Sequence, residues 1–364
     1  MNRRAWAHLI WVVALFLGGL QSAGATSLMK TAQADDVFLP FVASRQPTGI
    51  WTSARELAAL PTRGPAWDYL MKWAEEDSSR PDLSDPLGDT DTVVVAKALV
   101  YARTGQARYR QEVIAAVDAV VGTEGDTTLA LGRNLPGFII AADLVGLPPD
   151  VDARFRSWLA RVRTTSLDGR TLISTHEQRP NNWGTHAGAA RIAAALYLGD
   201  SADLQRAAAV FRGWLGDRSA YAGFNFASDR SWQCDPQRPV PINPPGCVIA
   251  GHSVDGVLTE EQRRAGSFAW PPPQENYAWE ALQGAVAQAW MLERAGYPAF
   301  SWQDAALLRA VTWLHEQAHF PAQGDDTGTP WLINGVYGTS FPTHSPARPG
   351  KNGLGFYEWL LGGR

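Results

Sequence analysis

The sequence predicts an all-α fold built from repeated helical hairpins. Two observations carry this. Apolar residues recur at three- and four-residue spacing through most segments after residue 50, and strand-like alternation is nearly absent. In addition, a unit made of an Ala-rich helix, a Gly-centred break and a second helix bearing aromatic and large aliphatic residues recurs four times. The units span 93–121, 137–163, 182–215 and 277–318, with breaks at Thr104-Gly105, Gly146, Gly199-Asp200 and Gly296-Tyr297-Pro298. Glycine accepts the left-handed conformation that ends a helix. An isolated hairpin cannot bury its apolar face, so the units must stack, either as an open solenoid or as a closed α/α toroid with a central cleft.

The elements follow in order. Arg3 and Arg4, an apolar run from Leu9 to Leu20 and the small residues Ala23-Gly24-Ala25 form a signal peptide, with cleavage expected after Ala25. The apolar run is shorter than the about 20 residues of a membrane span. Export to a periplasm or beyond the cell follows, with no membrane span after cleavage. Residues 26–364 read as one domain, with no linker dividing them. Ser53-Ala54-Arg55-Glu56 is a capping box that opens a short helix stopped by Pro61, and Pro65 suits the first turn of the next helix. Two segments break the helical rhythm, 217–276 and 320–353. Long loops in a compact domain are usually functional, and these are expected to wall the cleft. Cys234 and Cys247 flank a Pro-rich stretch in the first segment. In an exported chain they can form a disulfide, the alternative being two free thiols.

Composition narrows the function. The chain of 364 residues is 45% hydrophobic with a formal net charge of −4, and it has no basic block, which argues against a nucleic-acid partner. Its 16 Trp are roughly three times an ordinary share. Tryptophan stacks on sugar faces, and it is also a common core residue.

Two constellations carry chemistry. Asn181-Asn182-Trp183-Gly184-Thr185-His186 opens an Ala-rich helix, and Asn182 and His186, four apart, share one helical face. Amides and an imidazole together can hold an anion and exchange a proton. The plainer reading is an N-cap followed by a structural His. The second is Asp255-Gly256-Val257-Leu258, Glu261 and Arg264, followed by Tyr277 at the start of the next helix. An Arg close to a Tyr favours the phenolate, which is a usable base.

In this order, the Asn pair before a helix, Asp-Gly-x-Leu-x-x-Glu-x-x-Arg and a Tyr opening an Ala/Leu-rich helix resemble the alginate-lyase group of polysaccharide lyases. The resemblance covers roughly residues 50–360 and extends to proteins of glucuronan-type specificity. Trp183 stands where a His follows the Asn pair in mannuronan lyases, and His186 comes one turn later. The resemblance implies an incomplete (α/α) toroid that cleaves an anionic uronic-acid polymer by β-elimination. Tyr277, His186, Asn182 and Arg264 would be the catalytic residues. Asn182 and Arg264 neutralise the C5 carboxylate, Tyr277 moves the proton, and His186 assists the carboxylate or serves as base for the opposite stereochemistry. Asn181, Trp183, Arg179, His176, Trp270 and Trp279 are the substrate-binding candidates, and Arg191, His252 and Trp331 are weaker ones. No metal or cofactor is required, because donors can do the neutralising.

Three rival readings remain. A glycoside hydrolase on the same scaffold needs two flanking carboxylates, with Asp91, Asp143, Asp255 and Glu275 as candidates. A non-catalytic carbohydrate-binding scaffold needs the Trp residues and not Tyr277. A zinc hydrolase would use His315, Glu316 and His319, which fit His-Glu-x-x-His, although Phe320-Pro321 ends the helix at the second His. Asp325-Asp326 resembles a metal- or sugar-binding pair, and a loop turn is the plainer reading.

Overall fold

A computed structural model of the chain describes residues 49–343, 348–353 and 355–361. The leader expected over 1–25 lies outside the described residues. Fourteen α-helices occur among them, with one two-stranded hairpin, Val248–Ile249 against His252–Ser253.

The first helices start as the sequence predicts. Helix α1 (Ala54–Leu57) opens on a Ser53–Glu56 capping box, and α2 (Pro65–Ala74) has proline in its first turn. Next come α3 (Thr90–Thr104), α4 (Ala107–Ala119), α5 (Thr128–Val145), α6 (Pro149–Val162), the short α7 (Leu172–Gln178), α8 (Asn182–Leu198) and α9 (Ser201–Trp214). The breaks fall at the expected glycines, and Gly105 and Gly199 are left-handed caps. Helix α5 starts earlier than the repeat suggested, because Thr127 accepts a hydrogen bond from the Ala130 N–H and sets a new N-terminus. After α10 (Thr259–Gln262) come α11 (Tyr277–Arg294), α12 (Trp302–Glu316), α13 (Gly328–Tyr337) and α14 (Tyr357–Leu361). Both α10 and α13 lie in segments the sequence suggested were loops. In α13 Pro330 sits in the first turn, where its missing N–H costs nothing, and the apolar Trp331-Leu332-Ile333 run follows.

Helices α3, α5, α8 and α11 pack side by side in that order. They are buried nearly all round, as expected of helices without a polar face. Helix α4 packs on α3 and α9 on α8, while α6 rests on α4 and α8. The succession continues from α11 to α13, α14 and α2, and α2 returns to α3. Among the described residues only α5 is long and apolar enough to cross a membrane, and 83% of it is buried, as in a core helix.

Glycines set the close spacing around α8. A Cβ on Gly132 of α5 would meet the Ala187 nitrogen at 2.8 Å, and one on Gly284 of α11 would meet the Thr185 carbonyl carbon at 2.5 Å. The backbone about His186 is therefore clasped from both sides. The 217–276 segment meets α8 and α11 through α10 and is tied within itself by the Cys234–Cys247 disulfide, whose Cα atoms are 5.8 Å apart.

Candidate active site

Asn182 is the first residue of α8 and Tyr277 the first of α11, so the packing of α8 on α11 brings two helix starts together. Arg264, from the turn after α10, lies between them. Its Nη1 donates to Asn182 Oδ1 at 3.3 Å and to Glu261 Oε2 at 3.3 Å, while its guanidinium carbon stands 3.4 Å from the centre of the Tyr277 ring. One cation thus touches an amide from α8 and a phenol from α11. The Tyr277 side is exposed and Asn182 is buried beneath it. No other N–H of the Arg264 fork has a partner among the described residues.

Glu261 completes this group. Its Oε1 accepts the backbone N–H of Asn182, and Oε2 faces Arg264. Burial raises its carboxyl to about 8, outweighing the lowering effect of the Arg264 charge.

His186 lies one turn into α8 and exposes no surface. Nδ1 is 2.6 Å from the Asn352 amide nitrogen, and Nε2 points to Glu280 Oε2 at 3.7 Å. With the amide placed so, Nδ1 accepts and Nε2 carries the proton. Burial, helped by the Arg133 charge, lowers the imidazole below its ordinary range against the pull of Glu280. Neutral and enclosed, His186 reaches no substrate directly in this arrangement.

Glu280 is one turn beyond Tyr277 on α11 and pairs with Arg133 of α5. Burial raises the Glu280 carboxyl, but His186 and Arg133 overcome it and hold it at about 2. Asp325 lies 3.6 Å from Arg133, and Asp326 accepts from the Gln283 amide at 2.6 Å. Burial, with the Glu280 and Asp325 charges, pushes Asp326 well above the usual carboxylate range. Oxygens of Glu280, Asp325 and Asp326 lie within 4.8 Å of one another, close enough for a metal ion; the cation seated on this group is Arg133.

The remaining candidates divide. Arg179 stacks on Trp183 at 4.4 Å and has no ion pair among the described residues. Burial and the Arg170 charge, offset in part by Asp168 and reinforced by Arg264, push it below its ordinary value. Asn181 caps α8 through its carbonyl, and its buried Oδ1 has no hydrogen-bond partner. Trp270 is stacked on His252 at 4.3 Å. His176 is buried, Arg191 is paired with Asp203 and Glu177, and Trp279 is enclosed with its Nε1 bonded to the Phe320 carbonyl. His176 and Trp279 are therefore enclosed, with almost no exposed surface. Aromatic count and proximity in sequence cannot distinguish a core ring from a platform.

The residues of the zinc and hydrolase readings are engaged in other contacts. Helix α12 ends at Glu316, and His319 follows in the left-handed region at φ 49°, so the two histidines share no helical face. His315 instead stacks on Phe341. Of the hydrolase carboxylates, Asp91 is buried on Lys351, Asp255 pairs with Arg309, Asp143 accepts the Ile50 N–H, and Glu275 accepts the Tyr277 N–H.

Sequence reasoning passed over Arg133, Glu280 and Asn352. Arg133-Asn134 does interrupt an otherwise apolar helix, and Glu280 shares the Tyr277 face at a spacing of three, so both left a signal. Asn352 left none, since its contact spans 166 positions.

This geometry can bind a carboxylate beside a phenol. Residues 61–224 match the alginate lyase family model. The matched span runs from α2 through α9 and carries Arg133, Asn181, Asn182 and His186; Arg264, Tyr277 and Glu280 lie beyond it. The family is one of polysaccharide lyases, acting on an anionic polysaccharide. No curated protein matches the chain.

Proposed function

We propose that the protein is an exported polysaccharide lyase that cleaves a uronic-acid polymer of alginate or glucuronan type by β-elimination, on an incomplete (α/α) toroid. The succession of helix packings that returns to α3 supports the toroid. The observation that carries the reaction is the single guanidinium of Arg264, held on Asn182 and over the Tyr277 ring.

The chemistry needs this arrangement. The C5 proton of a uronate is weakly acidic because the adjacent carboxylate is already negative. Removing it places further charge on that carboxylate, which donors must absorb. The unpartnered N–H groups of Arg264 and the Asn182 amide face that role. Tyr277, the exposed member, takes the C5 proton as phenolate. As the C4–O4 bond breaks, the electron pair left at C5 forms the C4=C5 double bond, and the phenol returns a proton to the departing O4. Arg179 stacked on Trp183 supplies a further positive charge for the polymer. His186 acts from behind, through Glu280.

The test is a panel of uronans with ultraviolet absorbance as readout, since the unsaturated product is conjugated with its carboxylate. Wild type generates the absorbance on at least one uronan and Tyr277→Phe does not. Reducing ends appearing without the absorbance would establish a hydrolase and overturn this reading.

A further inference from the structure

Two buried glutamates stand side by side on α10, and only one faces the site. Glu260 pairs with Arg263 and accepts the Ala227 N–H at 3.2 Å, away from Asn182. Glu261, 1% exposed, takes the Asn182 N–H on one oxygen and Arg264 on the other. The Asn182 N–H is one of the free donors at the start of α8. A single carboxylate therefore joins the helix that carries one charge-neutralising group to the side chain that supplies the other.

We propose that Glu261 is the positioning residue of the site: its carboxylate bridge fixes Asn182 and Arg264 relative to each other and to Tyr277. The inference rests on the uronan-lyase reading for its kinetic consequence and on the contacts alone for its structural one. Both partners are donors, so the bridge needs two acceptors in one planar group, which is the ionised form of Glu261, complete above about pH 8, where the variants are compared. Glutamine offers one acceptor, and its NH₂ end would face either the Asn182 N–H or the guanidinium, donor against donor. Aspartate keeps the charge and withdraws it by one methylene. Either change frees a guanidinium whose other polar contact is only the Asn182 amide. The cost of burying an acid here, visible in its raised carboxyl, is consistent with a group kept for its position and not for stability.

The experiment compares Glu261→Gln and Glu260→Gln, each alone and with Arg264→Ala, on the uronan that wild type cleaves. Misplacement near 1 Å costs about 10²-fold, so Glu261→Gln should lower kcat/KM by that order, largely in kcat, while Glu260→Gln stays close to wild type. In the Arg264→Ala background Glu261→Gln should cost little more. Activity of Glu261→Gln equal to that of Glu260→Gln, or losses that simply multiply with Arg264→Ala, would overturn the inference. Crystal structures give a readout free of substrate. The guanidinium should leave the Tyr277 ring or Asn182 in Glu261→Gln, and its staying on both would overturn the inference even if no uronic-acid polymer were cleaved. Failure of wild type on every uronan would instead overturn the proposed function. Should Glu261→Gln not fold, Glu261→Asp carries the same comparisons.

Discussion

Gly284→Ala tests how closely the α8–α11 spacing governs the site. The added Cβ would stand 2.5 Å from the Thr185 carbonyl carbon, 2.6 Å from the His186 nitrogen and 2.8 Å from the Thr185 oxygen. All three are backbone atoms, so no rotamer change relieves them. Ordinary contact begins near 3.4 Å, so the helices must part by about 0.9 Å. Overpacking of this kind costs about 1–3 kcal/mol, and the better helix propensity of alanine returns up to about 1 kcal/mol. A net loss of about 1–2 kcal/mol lowers the melting temperature by roughly 2–3 °C in a domain of this size. Activity should suffer more. Asn182 and His186 ride on α8, Tyr277 and Glu280 on α11, and a shift near 1 Å between reacting groups costs about 10²-fold. Thermal melts and uronan cleavage measure the two effects. Gly335→Ala is the control, because its Cβ would meet only the flexible Leu361 side chain, at 3.1 Å. If Gly284→Ala melts and turns over like Gly335→Ala, the spacing argument fails.

Tyr277→Phe should melt close to wild type, since the ring is 42% exposed, and should lose about 10²–10⁴-fold in rate, the usual worth of a general acid/base; near-normal turnover would remove Tyr277 from the reaction. Glu280 is depressed to about 2 in the folded chain, so its stabilisation is present above the ordinary value of 4.5 and is lost as pH falls from there toward 2. Acid melts of Glu280→Gln should therefore be flatter over that window than those of wild type. Glu261 works in the opposite sense. Raised to about 8, it favours folding below 4.5 and loses that contribution as pH climbs toward 8, so Glu261→Gln should melt with a weaker decline over that range. Arg133→Ala leaves Glu280 and Asp325 without their cation and should destabilise by about 3–5 kcal/mol, read by denaturant titration.

Much of the fold was legible because its signals are local. Gly105 and Gly199 cap helices where the spacing of apolar residues stops, and Ser53 with Glu56 closes a box within four positions. The start of α5 was missed because Thr127 acts as cap with no acidic residue three positions later to mark it. Helix α13 was missed because Gly328 and Pro330 read as breakers, although proline is harmless in a first turn. In the site, Asn182, Arg264 and Tyr277 were legible as residue types suited to one reaction, whereas their meeting depends on α8 packing against α11. His186 was legible as a histidine and not as an enclosed one. Its surroundings come from Glu280, Arg133 and Asn352, three distant stretches of chain whose convergence no spacing encodes.

The electrostatics of the site follow from which positive groups remain unspent. Two helix N-termini, each equivalent to about half an elementary charge, point into it. Yet the Asn182 N–H at the start of α8 is taken by Glu261, and the Tyr277 N–H at the start of α11 by Glu275 at 3.1 Å. Protein carboxyl groups thus already accept both N–H donors, so neither helix start offers them to a substrate. What is left is the outer side of the Arg264 fork, with Arg179 on Trp183 nearby in the same positive field. A lysine at 264 would keep the charge but could not lie flat on the Tyr277 ring while holding Asn182 and Glu261 from one nitrogen and presenting further donors outward. Planarity and donor number, more than charge, make this position an arginine.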